Sequence, residues 1–442
     1  MNKISRILLA VCVGILLLGI ISTGQIRKRK AVGETPAPVV TSSTDIADES
    51  TPAPVPTKEY NTVDSVSDSV MNPLKRDAEK AMECTRETYA SLDKGTAVNV
   101  VLSNSSVAQL VYALGENGYS AIDYFGNVDM QNPQNLIDFG NAVNAGQDAQ
   151  AAYYVVHPDG RMHANILSYK DGEGSVITIS EEWDKDMKPR IYSTGRYYLS
   201  EIRYTDKGWL ICNRDMSGLG KDDKISRSNS YTFVRLLPYA EDKRALSDRF
   251  LGPAAYSENN LFTCTWNAAD YGQLDFNCIF PMLYGEYYGS DPLINSNMRS
   301  IAGYKSVSGT DMHIVPYEQF ERVIGHYFDI SAETLRHKAD NSSSYGGYFI
   351  LGAQTGYSST SKNAPEPEIV DYWYNGDGSL TMKVDAVYPW YGTDCAFTHE
   401  LTIMETKDGF KYVSNYLYES PDNIFPELSL KKERAVQISL LD

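Results

Sequence analysis

Cysteine, histidine and basic residues are all scarce in this chain, and each shortage removes a class of function. Six cysteines are spread over 442 residues. Cys12 falls inside an apolar run. Cys84, Cys212, Cys264, Cys278 and Cys395 are odd in number, widely spaced and without a Cys-x-x-Cys pair, so they spell neither a zinc site nor a disulfide framework. Buried small apolar side chains fit them best, with one or two disulfides left open. The six histidines are scattered. Only His399-Glu400 and Asp311-x-His313 set possible ligands close together, and a strand surface or a capped turn accounts for each. Of the 40 Lys and Arg, six stand in the first thirty residues, which carry no acid. The rest of the chain therefore sets 34 bases against 57 acids. A body of that sign repels phosphate backbones, which excludes nucleic acid as a partner.

Familiar catalytic signatures are missing as well. Gly-x-Ser-x-Gly does not occur, and no Gly-rich phosphate loop joins a strand to a helix. Ser-x-x-Lys occurs at Ser91–Lys94 and Ser359–Lys362, without the companion Lys-Thr-Gly. His157-Pro158-Asp159 sits between two strand-like runs and reads as a turn. Asn375-Gly376-Asp377-Gly378-Ser379 has the alternating oxygens of a calcium loop but Ala386 where the closing Glu belongs, so it too reads as a hairpin turn. Adjacent acids such as Glu181-Glu182 and Asp222-Asp223 read as solvated charges. No catalytic residue, metal ligand or cofactor is assigned.

Hydrophobic residues at 42% and charged residues at 22% place the body among globular chains. Ile7 to Ile26 is a 20-residue stretch with no charge. At ~1.5 Å per residue it spans a bilayer's hydrocarbon core as a helix. Lys3 and Arg6 precede it and the basic run Arg27–Lys30 follows, which favours an uncleaved anchor over a cleaved signal peptide. The membrane is thus the first expected partner, through residues 7–26. The Thr-Pro-Ala-Pro-Val repeat at Thr35–Val39 and Thr51–Val55 and the 32 tyrosines point to an exported body, placing the C-terminal domain on the extracytoplasmic side of the cell membrane.

The expected organisation is an anchor (1–30), a disordered Pro/Thr/Ser linker (31–68), a first α+β domain (69–240), a connecting segment (241–300) and a second α+β domain (301–442). Helical spacing appears over Pro73–Leu92, over Ser106–Glu116, and after Asn132 as cap with Pro133 in the first turn. Strand pairs flank Pro158-Asp159-Gly160, Asp206-Lys207-Gly208, Asn375–Gly378 and Lys407-Asp408-Gly409. Phe320, Val323, Ile324, Tyr327 and Phe328 line one face of a helix begun by Pro316. Helices followed by meandering strands give the fold class: α+β, with curved antiparallel sheets packed on helices.

Several of these stretches carry a resemblance. Gly115–Phe139, Lys207–Ile211, Phe320–Arg336 and Phe397–Thr402 followed by Phe410–Asn415 resemble uncharacterised membrane-anchored proteins of Gram-positive gut bacteria, a domain of unknown function, over roughly residues 70–425. The last unit is similar to the nuclear-transport-factor-2-like (cystatin-like) fold. That likeness implies a long helix wrapped by a curved sheet and selects no chemistry.

Aromatics are the suggestive feature. Tyr284, Tyr287 and Tyr288 form one cluster. Tyr372, Trp373 and Tyr374, with Trp390 and Tyr391, form another, and these five are the expected binding residues. Strand alternation sends Trp373 opposite to Tyr372 and Tyr374. Exposed Tyr and Trp favour stacking on sugars or a protein partner. The expected function is a non-catalytic binding module at the cell envelope, with an envelope protein or glycan as partner. The alternative is a cell-wall hydrolase with a pocket in the C-terminal unit, lined by carboxylates or His399.

Overall fold

The computed structural model describes residues 66–94, 100–215, 231–256, 258–289, 303, 305–308, 310, 312–351 and 364–439. The expected span at 7–26, the linker before residue 66, and Cys12, Asp222-Asp223, Asp311 and Ser359–Lys362 lie outside the described residues. Among the described residues no helix is long and apolar enough to cross a membrane. They form a mixed α+β structure in which curled sheets pack on helices.

The chain opens with helices α1 (Asp68–Cys84), α2 (Arg86–Ser91) and α3 (Asn104–Glu116). Thr85 separates the first two, its hydroxyl donating to the Met82 carbonyl at 2.8 Å. Strand β1 (Ala121–Asp123) leads into α4 (Gln134–Asn144), followed by β2 (Ala149–Val156), β3 (Met162–Lys170), β4 (Glu173–Trp183), β5 (Pro189–Tyr204), β6 (Trp209–Arg214) and β7 (Tyr231–Arg235). The seven strands form one sheet in sequence order. All pairings are antiparallel except β1 with β2. That parallel pair is joined by α4, since parallel neighbours need a crossover and a two-residue turn cannot supply one. The sheet is buried on both faces over β2 to β4. Tyr154, Ala164, Ile166 and Ile179 pack with Met71, Met82, Val107 and Leu110 of α1 and α3. Tyr153, Leu167 and Val176 pack with Leu136, Phe139 and Val143 of α4. Alternate residues of each strand thus serve different cores, as a period of two requires.

Asn132 does not cap α4 as the sequence suggests. It adopts φ +47°, and its side-chain amide donates to the carbonyls of Gly115 and Tyr119 at 2.7 and 3.1 Å. The residue ties its loop to the C-terminal end of α3 instead. Asn tolerates the left-handed region that this geometry requires.

Beyond β7, α5 (Glu241–Leu246) runs into a single π-turn, Ser247–Leu251. Strand β8 (Trp266–Asn267), α6 (Phe276–Tyr288), β9 (Lys305–Ser306), β10 (Met312–Pro316), α7 (Tyr317–Tyr327), α8 (Ala332–Lys338), β11 (Asn341–Ser342) and β12 (Gly347–Leu351) follow. The chain then makes β13 (Glu366–Tyr374), β14 (Leu380–Val387), a 3-10 turn (Pro389–Tyr391), β15 (Thr398–Thr406), β16 (Gly409–Leu417) and α9 (Ser429–Ile438). Two antiparallel sheets result, ordered β11-β12-β10-β9 and β13-β14-β15-β16-β8. Both press on a single aromatic core around α6 and α7. Phe320, Val323, Ile324 and Tyr327 face inward as their spacing predicts, against Phe276, Phe280, Tyr348, Met382, Leu401 and Tyr412. Phe320 stacks on Phe280 at 4.5 Å and on Tyr348 at 4.1 Å. A fully buried side chain of this size contributes about 1.5–3 kcal/mol. Residues 250–284 belong to this same core through Phe250, Tyr256, Phe262 and Phe280.

The last helix is held by one buried cation. Arg434 of α9 pairs with both oxygens of Asp275, at 2.8 and 2.7 Å, and with Asp340 at 2.8 Å. Its remaining nitrogen meets the Cys278 sulfur at 3.1 Å. Asp275 also caps α6, accepting from the Cys278 amide. Replacing one member leaves uncompensated charge in the interior. Arg434→Met is therefore expected to lower unfolding stability by about 3–5 kcal/mol and to expose α9 amides, read by urea titration and hydrogen exchange. Unchanged exchange in α9 would show that the helix docks by other contacts.

Candidate functional site

The five aromatics singled out in the sequence do not form one patch. Trp373 and Tyr374 end β13, where Trp373 pairs with Thr381 and Tyr374 with Leu380. Trp390 and Tyr391 follow the far end of β14. That strand has eight residues at ~3.4 Å each, so the two groups stand about 24 Å apart. Tyr372 packs against the aromatic core, and its hydroxyl donates to Asp242 at 2.7 Å. Trp390 also leans on that core. Tyr391 sits against Tyr388 at 4.8 Å. Alternation holds: Tyr372 lies on the core side with Tyr374, which overhangs the core and is 66% exposed, while Trp373 lies on the outer side.

Register places partners beside Trp373 that spacing alone does not reveal. Three rows cross the outer face of the five-stranded sheet. The first is Glu368–Asp385–Thr398, the second Asp371–Lys383–Glu400–Tyr416, and the third Trp373–Thr381–Thr402–Ser414. The first row is covered by the seven-stranded sheet. Glu368 accepts from the Trp209 indole N–H at 2.9 Å and pairs with Arg235 at 3.0 Å. Asp385 accepts from the Thr398 hydroxyl at 2.6 Å and pairs with Lys207. The other two rows are open except at Thr381, which is buried beneath Asn375. Tyr416 is 54% exposed and Trp373 38%. The Tyr418 hydroxyl donates to Glu400 at 2.5 Å, and the Lys383 ammonium lies 5.2 Å from the Tyr418 ring. The Thr381 and Thr402 hydroxyls bond each other at 2.9 Å. With strands ~4.8 Å apart, Trp373 and Tyr416 lie about 15 Å from each other across four strands. Stacking rings at two edges and fixed hydroxyl, ammonium and carboxylate groups between them can grip a flat polar ligand. Sequence reasoning missed Lys383, Tyr416 and Tyr418: simple alternation from the inward Tyr412 would send Tyr416 inward too, and only the bulge at Val413, where the register shifts, turns Tyr416 outward.

His399 is no reaction centre. It is fully buried. Its Nδ1 meets the Asn415 side-chain oxygen at 2.6 Å, its Nε2 the Tyr256 hydroxyl at 2.7 Å, and its ring stacks on Phe262 at 5.4 Å. Asn415 donates onward to the carbonyls of Phe262 and Cys264. Nδ1 therefore carries the proton and donates, and Nε2 accepts from Tyr256. Burial lowers its pKa to about 4. Ser91 and Lys94 do not form a nucleophile pair either: the Ser91 hydroxyl donates to the Thr88 carbonyl, and the Lys94 ammonium to the Tyr89 carbonyl at 2.6 Å. The five described cysteines are free thiols.

A second constellation stands at the carboxyl ends of the parallel strands β1 and β2, where open sheets place ligands. Tyr124 and Phe125 follow β1 and are exposed, on a turn held by Asp123, which accepts from the Phe125 and Val128 amides. His157 follows β2 and lies 3.1 Å, Nε2 to Nδ1, from His163 of β3. Tyr124 packs on the His157 ring at 4.5 Å. The His163 Nε2 meets the Tyr192 hydroxyl at 3.3 Å. Burial and then the neighbouring His163 lower the His157 pKa to about 4. Burial and then Arg161 lower that of His163. Gly160 makes the turn possible: it has φ +80°, and a Cβ there would stand 2.5 Å from the Tyr89 ring.

Glu181 departs from the solvated reading. It is fully buried on β4, and neither carboxylate oxygen has a hydrogen-bond partner. Burial and then Glu79 raise its pKa to about 8. Below the unfolded value near 4.5 both states are protonated and no ionisation penalty applies. Between 4.5 and 8 the unfolded chain loses the proton while the folded chain keeps it, so stability falls as pH rises, by on the order of 5 kcal/mol in all. Glu181→Gln is expected to match the parent at pH 4 and to exceed it at pH 8 in chemical denaturation. An equal advantage at both pH values would mean that the carboxyl is ionised in the fold.

No curated protein and no solved structure matches the chain. A model of DUF6070, a family of unknown function, matches residues 71–432, which takes in every strand named above and all the helices but the first residues of α1 and the last of α9, and the chain belongs to that family.

Proposed function

We propose that the chain is a non-catalytic binding module of the cell envelope, anchored by residues 7–26, with its body outside the membrane and a glycan as its ligand. The observation that carries this reading is the open outer face of the five-stranded sheet. Trp373, Tyr416 and Tyr418 are exposed around Lys383, Glu400 and Thr402 on a rigid, hydrogen-bonded support. Rings of this kind stack on sugar faces, and the polar groups between them fix hydroxyls. The uncharged stretch Ile7–Ile26, its basic flanks and the Pro/Thr/Ser linker support the tether. The curved sheet wrapped on α7 supports the likeness to the nuclear-transport-factor-2-like fold. With 34 bases against 57 acids beyond residue 30, the body would be kept off anionic polymers, so the ligand suited to it is a neutral or amino-sugar glycan.

Two measurements test the proposal. Protease added to intact cells should cut the body, and protection until the cells are permeabilised would place it inside. The purified full chain in detergent should be retained on isolated cell-wall polysaccharide. Trp373→Ala with Tyr416→Ala should weaken retention about tenfold, in line with two lost stacking contacts of about 0.5–1.5 kcal/mol each. Retention unchanged in the double variant would remove the sheet face as the site, and capture by an envelope protein in place of polysaccharide would change the ligand class.

A further inference from the structure

We propose that His157 and His163 form a two-imidazole site for a borderline-soft divalent transition cation of the Cu2+, Ni2+ or Zn2+ class, with its remaining positions open to water or an outside ligand. This site lies on the seven-stranded sheet and is independent of the glycan reading.

The hairpin builds it. His163 pairs directly with Val155 across β2 and β3. His157 lies two residues beyond Val155, so both imidazoles rise from the same face of the hairpin. The turn between them is closed by the His157 amide donating to the Arg161 carbonyl at 2.9 Å and the Gly160 amide to the His157 carbonyl at 2.9 Å. The two ring nitrogens stand 3.1 Å apart. Two imidazole nitrogens bound to one cation at about 2.0–2.1 Å lie roughly 2.9 Å apart at a square-planar angle and roughly 3.4 Å apart at a tetrahedral one. The observed spacing falls between those limits, so coordination needs only small ring rotations.

The surroundings suit a cation. Tyr192 accepts from the Nε2–H of His163 and so leaves the Nδ1 lone pair of that ring directed at His157, the orienting role that an outer partner plays for a ligating histidine. Asp159 holds Arg161 in an ion pair, its oxygens 2.6 Å from the Arg161 Nε and 2.5 Å from its Nη2, so that guanidinium is offset by a carboxylate, and Arg214 is the second cation that acts on His163. Exposed Tyr124, Phe125 and Tyr192 border the pair, which leaves the site reachable from solvent. Among the described residues no group of three or more His, Cys, Asp or Glu could hold a metal. The site is thus an open two-ligand chelate and not a closed structural centre.

Protons balance without a net release. In the metal-free pair the His157 Nε2–H is shared with His163 Nδ1. On binding, that proton is given up and His157 takes one at Nδ1, so both rings remain neutral imidazoles and each offers one lone pair to the cation.

The test uses the full chain in detergent, titrated with Cu2+ and followed by calorimetry and by electron paramagnetic resonance. One Cu2+ should bind with a nitrogen hyperfine pattern from two imidazoles. His157→Gln and His163→Asn, which keep a polar atom at each place, should each abolish that signal while near-ultraviolet circular dichroism stays unchanged. Tyr192→Phe should weaken binding about tenfold. The same two-nitrogen signal in the double variant, or no Cu2+ bound by the parent chain, would overturn the proposal. Should the variants unfold, the parent spectrum still decides, since a pattern without two nitrogens rejects the site.

Discussion

Two carboxylates that cannot stay charged alone hold the structure together. Glu368 and Asp385 are nearly sealed from water, and an unpaired charge there would cost several kcal/mol. The cations that neutralise them all come from the seven-stranded sheet: Arg235 for Glu368 and Lys207 for Asp385, with the Trp209 indole as a further donor. Around them Arg203 donates to the Gly392 carbonyl, and Tyr239 accepts from the Ile369 amide. Tyr231 lies so close to Gly392 that a Cβ there would stand 2.3 Å from its ring. The residues joined are 130 to 190 apart in the chain. None of the pairings is local, and all of them are needed at once.

This joint also decides which surface is left for a ligand. It covers the first of three outward rows on the five-stranded sheet and no more. The rows that carry Trp373 and Tyr416 begin one pleat further on, beyond the reach of Lys207 and Arg235. Trp390 and Tyr391 stand at the covered end, beside Gly392, and so belong to the joint's neighbourhood and not to the open rows.

What the sequence makes legible follows the range of the interaction. Hairpins closed by Asp-Gly turns, the inward face of α7 and the outward aim of Trp373 are local, and residue order alone carries them. Tyr372 and Tyr391 look like neighbours on paper because both lie in aromatic runs, yet an eight-residue strand holds them apart. Tyr416 and Lys383 look unrelated, yet register sets them in one row. Glu181 is the clearest case. Beside Glu182 it reads as an ordinary solvated acid, but it lies two residues beyond Ile179 and opposite Met162 on the core-facing side of the sheet, where no partner meets it. Arg434 gives the opposite lesson. It lies in a run of charged residues, yet it is buried between the sealed Asp275 and the exposed Asp340, which only the folded chain brings together.

The two sheets also differ in where they can carry function, and the reason is coverage. Over β2 to β4 the seven-stranded sheet has helices on both faces, so its side chains are spent on packing. Solvent reaches it along β5 and at the strand ends, and beside one such end Tyr124, His157 and His163 gather. The five-stranded sheet has its core on one side only, so beyond the joint its outer rows keep exposed side chains at Trp373 and Tyr416. A compact, directional group such as a pair of imidazoles can be built at a turn, because a hairpin fixes two side chains closely. A broad, flat contact needs an uncovered sheet, because only neighbouring strands hold several rings and hydroxyls in one plane. The layering of helices on sheets thus limits each half to one kind of site.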